Sequence, residues 1–351
     1  NLRGGEQSIR KCRERIYRII DRYNGTKPAI DIERGLYFTQ SMKQTEGEML
    51  VLRWAKALKY IAENITIYID DDTLIVGRGG KPGRYGLVYP ELDGNIMDIT
   101  IKDVANRKES SFSISEEDGR IILEEICPYW KDKSFWEDLV KALPEETLRL
   151  TYDPKEPVKS RHILDELTTY RSSINWVPDY EKALKRGFKS LKEEAQSKLE
   201  ALDPFNVRDT MEKKPFLEAM ILVCDAIVLW ARRHGDKAAE LAQLEKDPIR
   251  KRELLEIAER CYWVPENPAR NFREAVQCQW FVQMFSRLEQ KTGAIVSNGR
   301  MDQYLYPYYK ADKEAGILTD QQAMETLECL WVMMAQFTDL CFSPNGASQQ
   351  E

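Results

Sequence analysis

The segment PFLEAMILVCDAIVLWARRHG, from Pro215 to Gly235, is apolar on nearly every face. It opens on proline and closes on glycine, the usual order at the two ends of a helix. A helix apolar all round has no side to give to water, so other elements must surround it. No run of eighteen apolar residues occurs, so the segment is too short to span a bilayer and belongs to a protein core.

Helical periodicity supplies the surroundings. Ile9, Ile16, Ile19 and Ile20 mark an amphipathic helix over 9–23, ended by Gly25 and Pro28. Thr45 and Glu48 have the spacing of a capping box, followed by Leu50, Val51, Trp54, Leu58 and Ile61 on one face. Leu184, Phe188, Leu191, Ala195, Leu199 and Leu202 repeat at three and four residues. Asn271–Glu289 and Gln321–Leu340 read as two further long helices. Strand signals are few. ITIYI (65–69) and TLIVG (73–77), joined by three aspartates, read as a hairpin, and 78–95 as loop. No internal repeat appears, and no linker divides the chain. The expectation is a mostly α chain. SPNGASQQE (343–351) follows a helix as polar, turn-like sequence, so either a loop closes the protein or the polypeptide continues.

The 351 residues suit one large domain or two, and eight Trp and sixteen Tyr supply the apolar area for a sizeable core. A net charge of −6 with mixed signs argues against a nucleic-acid partner, which needs a basic face. The N-terminal segment has basic residues but no separate apolar stretch and does not read as a signal peptide, so a cytoplasmic location without a membrane anchor is expected. Seven widely spaced cysteines without a CxxC read as buried, reduced thiols. His162 and His234 are far from any cysteine pair, so no metal site is expected.

Chemistry-bearing patterns are sparse. Asp70-Asp71-Asp72 reads as a turn and Glu116-Glu117-Asp118 as a solvated loop, neither beside a histidine. GRGGKPGRYG (77–86) carries Arg78, Lys81 and Arg84, but it lacks the GK[ST] ending of a phosphate loop and opens no helix. TTYRSSINWVPDYEK (168–182) has two readings. Arg171 can grip an oxyanion in a bidentate fashion with Ser172, Ser173 and Asn175 adding donors, or Ser173 and Asn175 cap helices and Arg171 lies on the surface. In GAIVSNGRMDQYLYPYYKAD (293–312) the glycines and Asn298 break a helix and Asp302 can pair with Arg300. The mixture of polar and aromatic residues suits either a cavity wall or an ordinary packed connection.

Blocks in fixed order carry a resemblance. DIERG (31–35), TQSMKQTEGE (39–48), CPYWKDKS (127–134), VPDYEKALKRGFKSLKEEA (177–195), REAVQCQWFVQ (273–283) and GRMDQYLYPYY (299–309) together resemble the glycyl radical enzymes, the pyruvate formate-lyase and diol dehydratase family. The resemblance implies an α/β fold, of which residues 1–351 would be the N-terminal, mostly helical part of a ten-stranded α/β barrel. It places the thiyl cysteine and radical glycine beyond Glu351, so that no catalytic residue lies in this chain. It implies no bound cofactor here. The glycyl radical would be installed on the C-terminal segment by an S-adenosylmethionine iron–sulfur activase, and a homodimer is expected.

Asn175 and the pair Ala294-Ile295 stand where the diol dehydratases resemble a histidine and a His-Ser pair that meets substrate hydroxyls. With Arg171 added and those contacts apolar, the pattern is most similar to isethionate sulfite-lyases and related hydroxysulfonate lyases, with Asn175 in place of that branch's glutamine. The implied substrate is a small anionic organosulfonate, bound by Arg171, Asn175 and Ile295. The alternatives are a dehydratase of a small diol or hydroxy compound, and a non-catalytic helical scaffold.

Overall fold

The computed structural model describes residues 14–92, 97, 101–102, 104–107, 111–147, 176–289, 296–338 and 340. After a helix over 14–24 (α1) come strand β1 (Ala29–Asp31), α2 (Glu33–Gln44), α3 (Leu50–Asn64) and strand β2 (Tyr85–Leu87). A short helix α4 (Glu116–Ile121) passes through a π-helical turn (Ile122–Ile126) into α5 (Cys127–Trp130) and is followed by α6 (Phe135–Ala142). Six longer helices complete the described chain: α7 (Tyr180–Glu200), α8 (Lys214–Leu244), α9 (Pro248–Trp263), α10 (Phe272–Glu289), α11 (Met301–Glu314) and α12 (Asp320–Gln336).

The apolar segment forms the N-terminal two-thirds of α8, which packs against α3, α7 and α9 with Trp230 and Ala231 fully buried. Pro215 sits in the first turn as expected, but Gly235 does not end the helix. A Cβ there would stand 2.8 Å from the Tyr262 ring, so the glycine is a notch that lets α9 approach. α7 carries the expected apolar repeat but is broken at Gly187, where φ is +68° and ψ 160°. The backbone turns there to donate from Phe188 and Lys189 to the carbonyls of Pro265 and Glu266, at 2.9 and 3.0 Å.

The expected capping box is absent. Thr45 closes α2, its hydroxyl bonded to the Ser41 carbonyl at 2.9 Å, and α3 starts five residues later without a side-chain cap. The box that does form joins Thr319 and Gln322 at the start of α12.

The expected hairpin is also absent. Residues 65–77 form no strand and turn at Asp71 and Asp72, and the two runs do not pair with each other because other groups take their backbone. The Gln277 side-chain amide accepts from Val76 N at 3.1 Å and donates to Val76 O at 2.6 Å, replacing a neighbouring strand. Glu33 accepts from Thr66 N at 2.7 Å. Of the three aspartates, Asp70 pairs with Arg78, and Asp72 with Arg18 and Arg22. β-branched runs report a half-buried extended backbone rather than its partner.

The strands lie elsewhere, one of them inside the stretch read as loop. β1 and β2 are parallel, Ala29 opposite Tyr85 and Asp31 opposite Leu87. Parallel bridges Ala29–Ser113 and Tyr85–Phe337 extend this into a four-segment ladder drawn from four distant parts of the chain.

The five described cysteines, Cys127, Cys224, Cys261, Cys278 and Cys329, are buried, as expected. Burial pushes the Cys224 thiol up to about 11 and those of Cys261, Cys278 and Cys329 to about 12, so all four stay protonated at neutral pH. His234 is enclosed on α8 between Trp230 and Phe281, with Nδ1 2.9 Å from the Trp230 carbonyl. Burial lowers its pKa from 6.5 to about 4.

This burial gives a pH prediction. The unfolded chain binds a proton at His234 below about 6.5, and the folded chain does so only below about 4. The His234 contribution is therefore fully present above pH 6.5 and is lost as pH falls toward 4, by about 3 kcal/mol in all. Asp31, raised by burial to about 6, works in the opposite direction, since its cost falls away on acidification. In urea titrations from pH 7 to 4, His234→Phe is expected to gain on the unsubstituted protein by about that amount. A gap that stays constant with pH would refute a neutral buried imidazole.

Candidate functional site

Helix α10 is buried along its whole length, yet it carries Gln277, Gln279, Gln283, Ser286 and Arg287. Buried amides must find partners, and two of these, one turn apart, face a connection between α10 and α11. Gln279 Nε2 donates to Gln283 Oε1 at 3.1 Å and to Asn298 Oδ1 at 3.0 Å. Gln283 Nε2 donates to the Val296 carbonyl at 2.9 Å. The next two carbonyls are taken by phenols: Tyr180 OH donates to Ser297 O at 3.2 Å and Tyr304 OH to Asn298 O at 2.7 Å. The two rings lie 5.5 Å apart, and burial raises both phenols well above their usual range, which keeps them neutral donors. Val296 pairs in parallel with Trp176, and Ser297 N donates to Trp176 O at 3.0 Å.

A second buried cluster fixes the C-terminal end of α10. Arg34, from the DIERG block, is fully buried. Its Nε donates to Leu288 O and its Nη2 to Glu289 O, both at 2.9 Å. Nη1 lies 2.7 Å from the Glu91 carboxylate, and the guanidinium is sandwiched between the Phe38 and Tyr89 rings at 4.5 and 4.3 Å. The arginine supplies the last carbonyls of α10 with donors that the helix itself cannot provide. Asp31 of the same block accepts from Glu33 N at 3.0 Å and Lys81 N at 2.8 Å, joining β1 to the glycine-rich run.

Arg171, Asn175 and Ile295, the substrate-binding residues suggested by the sequence, lie outside the described residues, as do Ser172, Ser173 and Ala294. Trp176 and Val296, which directly follow Asn175 and Ile295 in the sequence, form a parallel bridge. Helix α7 is capped by Asp179, whose side chain accepts from Lys182 N at 3.1 Å. Arg300 and Asp302 pair as expected, at 2.9 and 3.1 Å, but on the surface.

The polar-aromatic segment does form a cavity wall. Met301, Leu305, Tyr306 and Tyr309 line a cleft of about 660 Å³ between α11 and α12. A larger cleft, about 1210 Å³, opens between α3, α7 and α8, bordered by Trp54, Phe188, Met220 and Trp176.

The glycine-rich run offers no phosphate cradle. The Arg78 guanidinium serves Gly80 O at 2.9 Å, Gly83 O at 2.6 Å, Lys81 O and Asp70, while Lys81 Nζ pairs with Asp118 at 2.6 Å and Arg84 stacks over Tyr23. Among the described residues no cluster of His, Cys, Asp and Glu can hold a metal, and no helix is long and apolar enough to cross a membrane.

Sequence reasoning missed Arg34, Tyr180, Gln279, Gln283 and Tyr304. The legible signal was Gln279 and Gln283, two amides one turn apart on an otherwise apolar helix. The tyrosines gave none, because their partners are backbone carbonyls.

The described chain is a helical shell around short parallel strands, with polar side chains bonded to the backbone at the end of α10 and at residues 296–298. Residues 9–343 match the family pattern described as pyruvate formate lyase-like, and the chain belongs to that family. The isethionate sulfite-lyase of Oleidesulfovibrio alaskensis is 60% identical over 350 residues, covering 100% of this chain and 42% of that protein. A solved structure concerned with 1,2-propanediol dehydration in Roseburia inulinivorans superposes with a TM-score of 0.86 at 33% identity, covering 95% of this chain and 40% of that one. A glycyl radical enzyme from Archaeoglobus fulgidus gives 0.82 at 33%, covering 93% and 41%. The chain thus spans about two-fifths of the length of the relatives it matches, and it folds as the mostly helical, N-terminal part of the glycyl radical enzyme barrel. Proteins of this family work through a glycyl radical.

Proposed function

We propose that residues 1–351 form the N-terminal part of a radical lyase that cleaves the carbon–sulfur bond of a small hydroxyalkanesulfonate, converting isethionate to acetaldehyde and sulfite. The observation that carries this reading is the 60% identity, sustained over the whole chain, to a curated isethionate sulfite-lyase. Identity to the structure concerned with diol dehydration is 33%. The thiyl cysteine and radical glycine belong to the part of the family's length that this chain does not span. There they supply hydrogen-atom removal from the hydroxyl-bearing carbon, after which sulfite leaves from its neighbour. Partners of the whole protein are a radical-installing S-adenosylmethionine iron–sulfur enzyme and a second copy of itself, in the cytoplasm of an anaerobe.

The contribution of this chain is binding. Arg171 presents a planar fork to the sulfonate and steadies the charge that departs as sulfite. Asn175 adds a donor. Ile295 offers an apolar wall where a diol site needs hydroxyl contacts.

Arg171→Ala in the complete, radical-bearing protein tests this. Loss of a charge-assisted contact worth about 1.5–3 kcal/mol lowers kcat/KM on isethionate roughly ten- to a few hundredfold. Radical yield, read by electron paramagnetic resonance, stays the same, and Arg171→Lys recovers only part of the loss. Unchanged turnover of isethionate in Arg171→Ala would remove Arg171 as the sulfonate's anchor, and no turnover of isethionate by the unsubstituted protein, with turnover of a neutral diol, would remove the lyase reading.

A further inference from the structure

We propose that the cleft between α11 and α12 is a docking groove for one α-helix from the remaining three-fifths of the full-length polypeptide. The inference rests on the length of the family's members and not on the substrate proposed above.

The two helices are joined by residues 315–319, and each packs on α10. Tyr309 OH donates to Asp320 at 2.6 Å and ties α11 to the start of α12. Between them lies the cleft of about 660 Å³, lined by Leu305, Tyr306, Ala323, Met324, Leu327 and Trp331. Leu305 and Ala323 are buried, whereas Tyr306, Met324 and Trp331 are 56%, 58% and 57% exposed. The outer face of a surface helix is ordinarily polar. Here two successive helices both turn large apolar side chains outward onto one concave surface, which marks a contact rather than a solvated wall.

The shape selects a helix. Met324, Leu327 and Trp331 recur at three- and four-residue spacing. The lining of α12 runs from Asp320 to Trp331, about 16 Å at 1.5 Å per residue, or three helical turns. A groove of this length between two helices receives the apolar face of a third, through anchors spaced one turn apart.

The surroundings select its source. Asp302 and Asp320 at the rim are already paired, with Arg300 and Lys313. Recognition is therefore apolar, as in permanent interfaces, and not charge-steered, as in transient ones. A second copy docking directly across a two-fold axis would set the same groove against itself and leave both unfilled. The chain covers 42% of the Oleidesulfovibrio alaskensis protein and 40% of the 1,2-propanediol structure, so most of the full-length polypeptide is tethered nearby. α12 is the last described helix, and successive elements are usually neighbours in space.

The test uses the unsubstituted full-length protein, without radical or substrate. In hydroxyl-radical footprinting, an open groove predicts that Tyr306, Met324 and Trp331 react at about half their rate in the urea-unfolded protein, from their exposure here. A groove filled by the same polypeptide predicts roughly a tenth of that rate or less, independent of protein concentration. A benzophenone side chain introduced by Met324→p-benzoylphenylalanine is expected to cross-link to a peptide beyond Glu351, in a product of monomer mass on denaturing electrophoresis.

Reaction at about half the unfolded rate would overturn the proposal. So would a cross-linked product of dimer mass, which would give the groove to a second copy, or a cross-link confined to residues 1–351. Neither readout involves isethionate, so failure of the proposed function would leave this result standing.

Discussion

Replacing Arg34 with methionine is expected to cost the folded protein about 3–5 kcal/mol, the usual penalty for removing one member of a buried ion pair. The charge lost is not the main term. Glu91 would remain buried beside a thioether, and the carbonyls of Leu288 and Glu289 would lose both donors. Arg34→Lys should fall between, because an ammonium can meet Glu91 but cannot also fork onto two carbonyls or lie flat between Phe38 and Tyr89. The double variant Arg34→Met/Glu91→Leu should recover much of the loss by removing the stranded carboxylate. Denaturant unfolding of the four proteins measures this. Equal stability for Arg34→Met and the double variant would show that the stranded Glu91 carboxylate carries no cost.

Gly187→Ala is the second large effect, with an expected cost of about 2–6 kcal/mol from backbone strain and overpacking together. Gly187 adopts φ +68° and ψ 160°, a conformation almost reserved for glycine. A Cβ would also strike backbone, the Glu266 carbonyl and, at 2.7 Å, Asn267 Cα. Backbone cannot swing aside as a side chain can. Gly316 supplies the control: its φ is +70°, but nothing lies within 4 Å of its added Cβ, so Gly316→Ala should cost only strain, about 1 kcal/mol. A similar drop in melting temperature for both variants would show that the close approach at Gly187 carries no weight.

Helices α1, α3, α7, α8, α10 and α12 were legible because each reports its buried face within a few turns of sequence, whereas α2, α9 and α11 were not read as helices. Leu184, Leu191 and Ala195 announce α7, and the largely apolar run from Pro215 announces the N-terminal two-thirds of α8. What failed was information held by distant partners. Thr45 and Glu48 have a capping-box spacing, yet Thr45 bonds backwards to Ser41, and spacing alone does not set that direction. ITIYI and TLIVG look like two strands of one hairpin, but Gln277, two hundred residues on, supplies a partner. Gly235 reads as a helix end until Tyr262 shows what its missing Cβ makes room for. β1 and β2 are three residues each and pair across more than fifty, so neither carries a local signal. At the candidate site, Arg171, Asn175 and Ile295 came from a resemblance, whereas Tyr180, Gln283 and Tyr304 are bonded to backbone carbonyls, which no residue pattern encodes.

The four-segment ladder has a consequence for how the protein is made. Its members come from near residues 29, 85, 113 and 337, so its last member leaves the ribosome some 300 residues after its first. At about 5–20 residues per second, β1 waits on the order of 15–60 s for the segment that closes the β2 edge. Helices form in microseconds, and loop closure over hundreds of residues must precede any reward from these pairings. The helical shell therefore assembles first, and β2 spends the interval as an open edge on a nascent chain. That interval, rather than the finished fold, is when the protein is most exposed to strand-mediated aggregation.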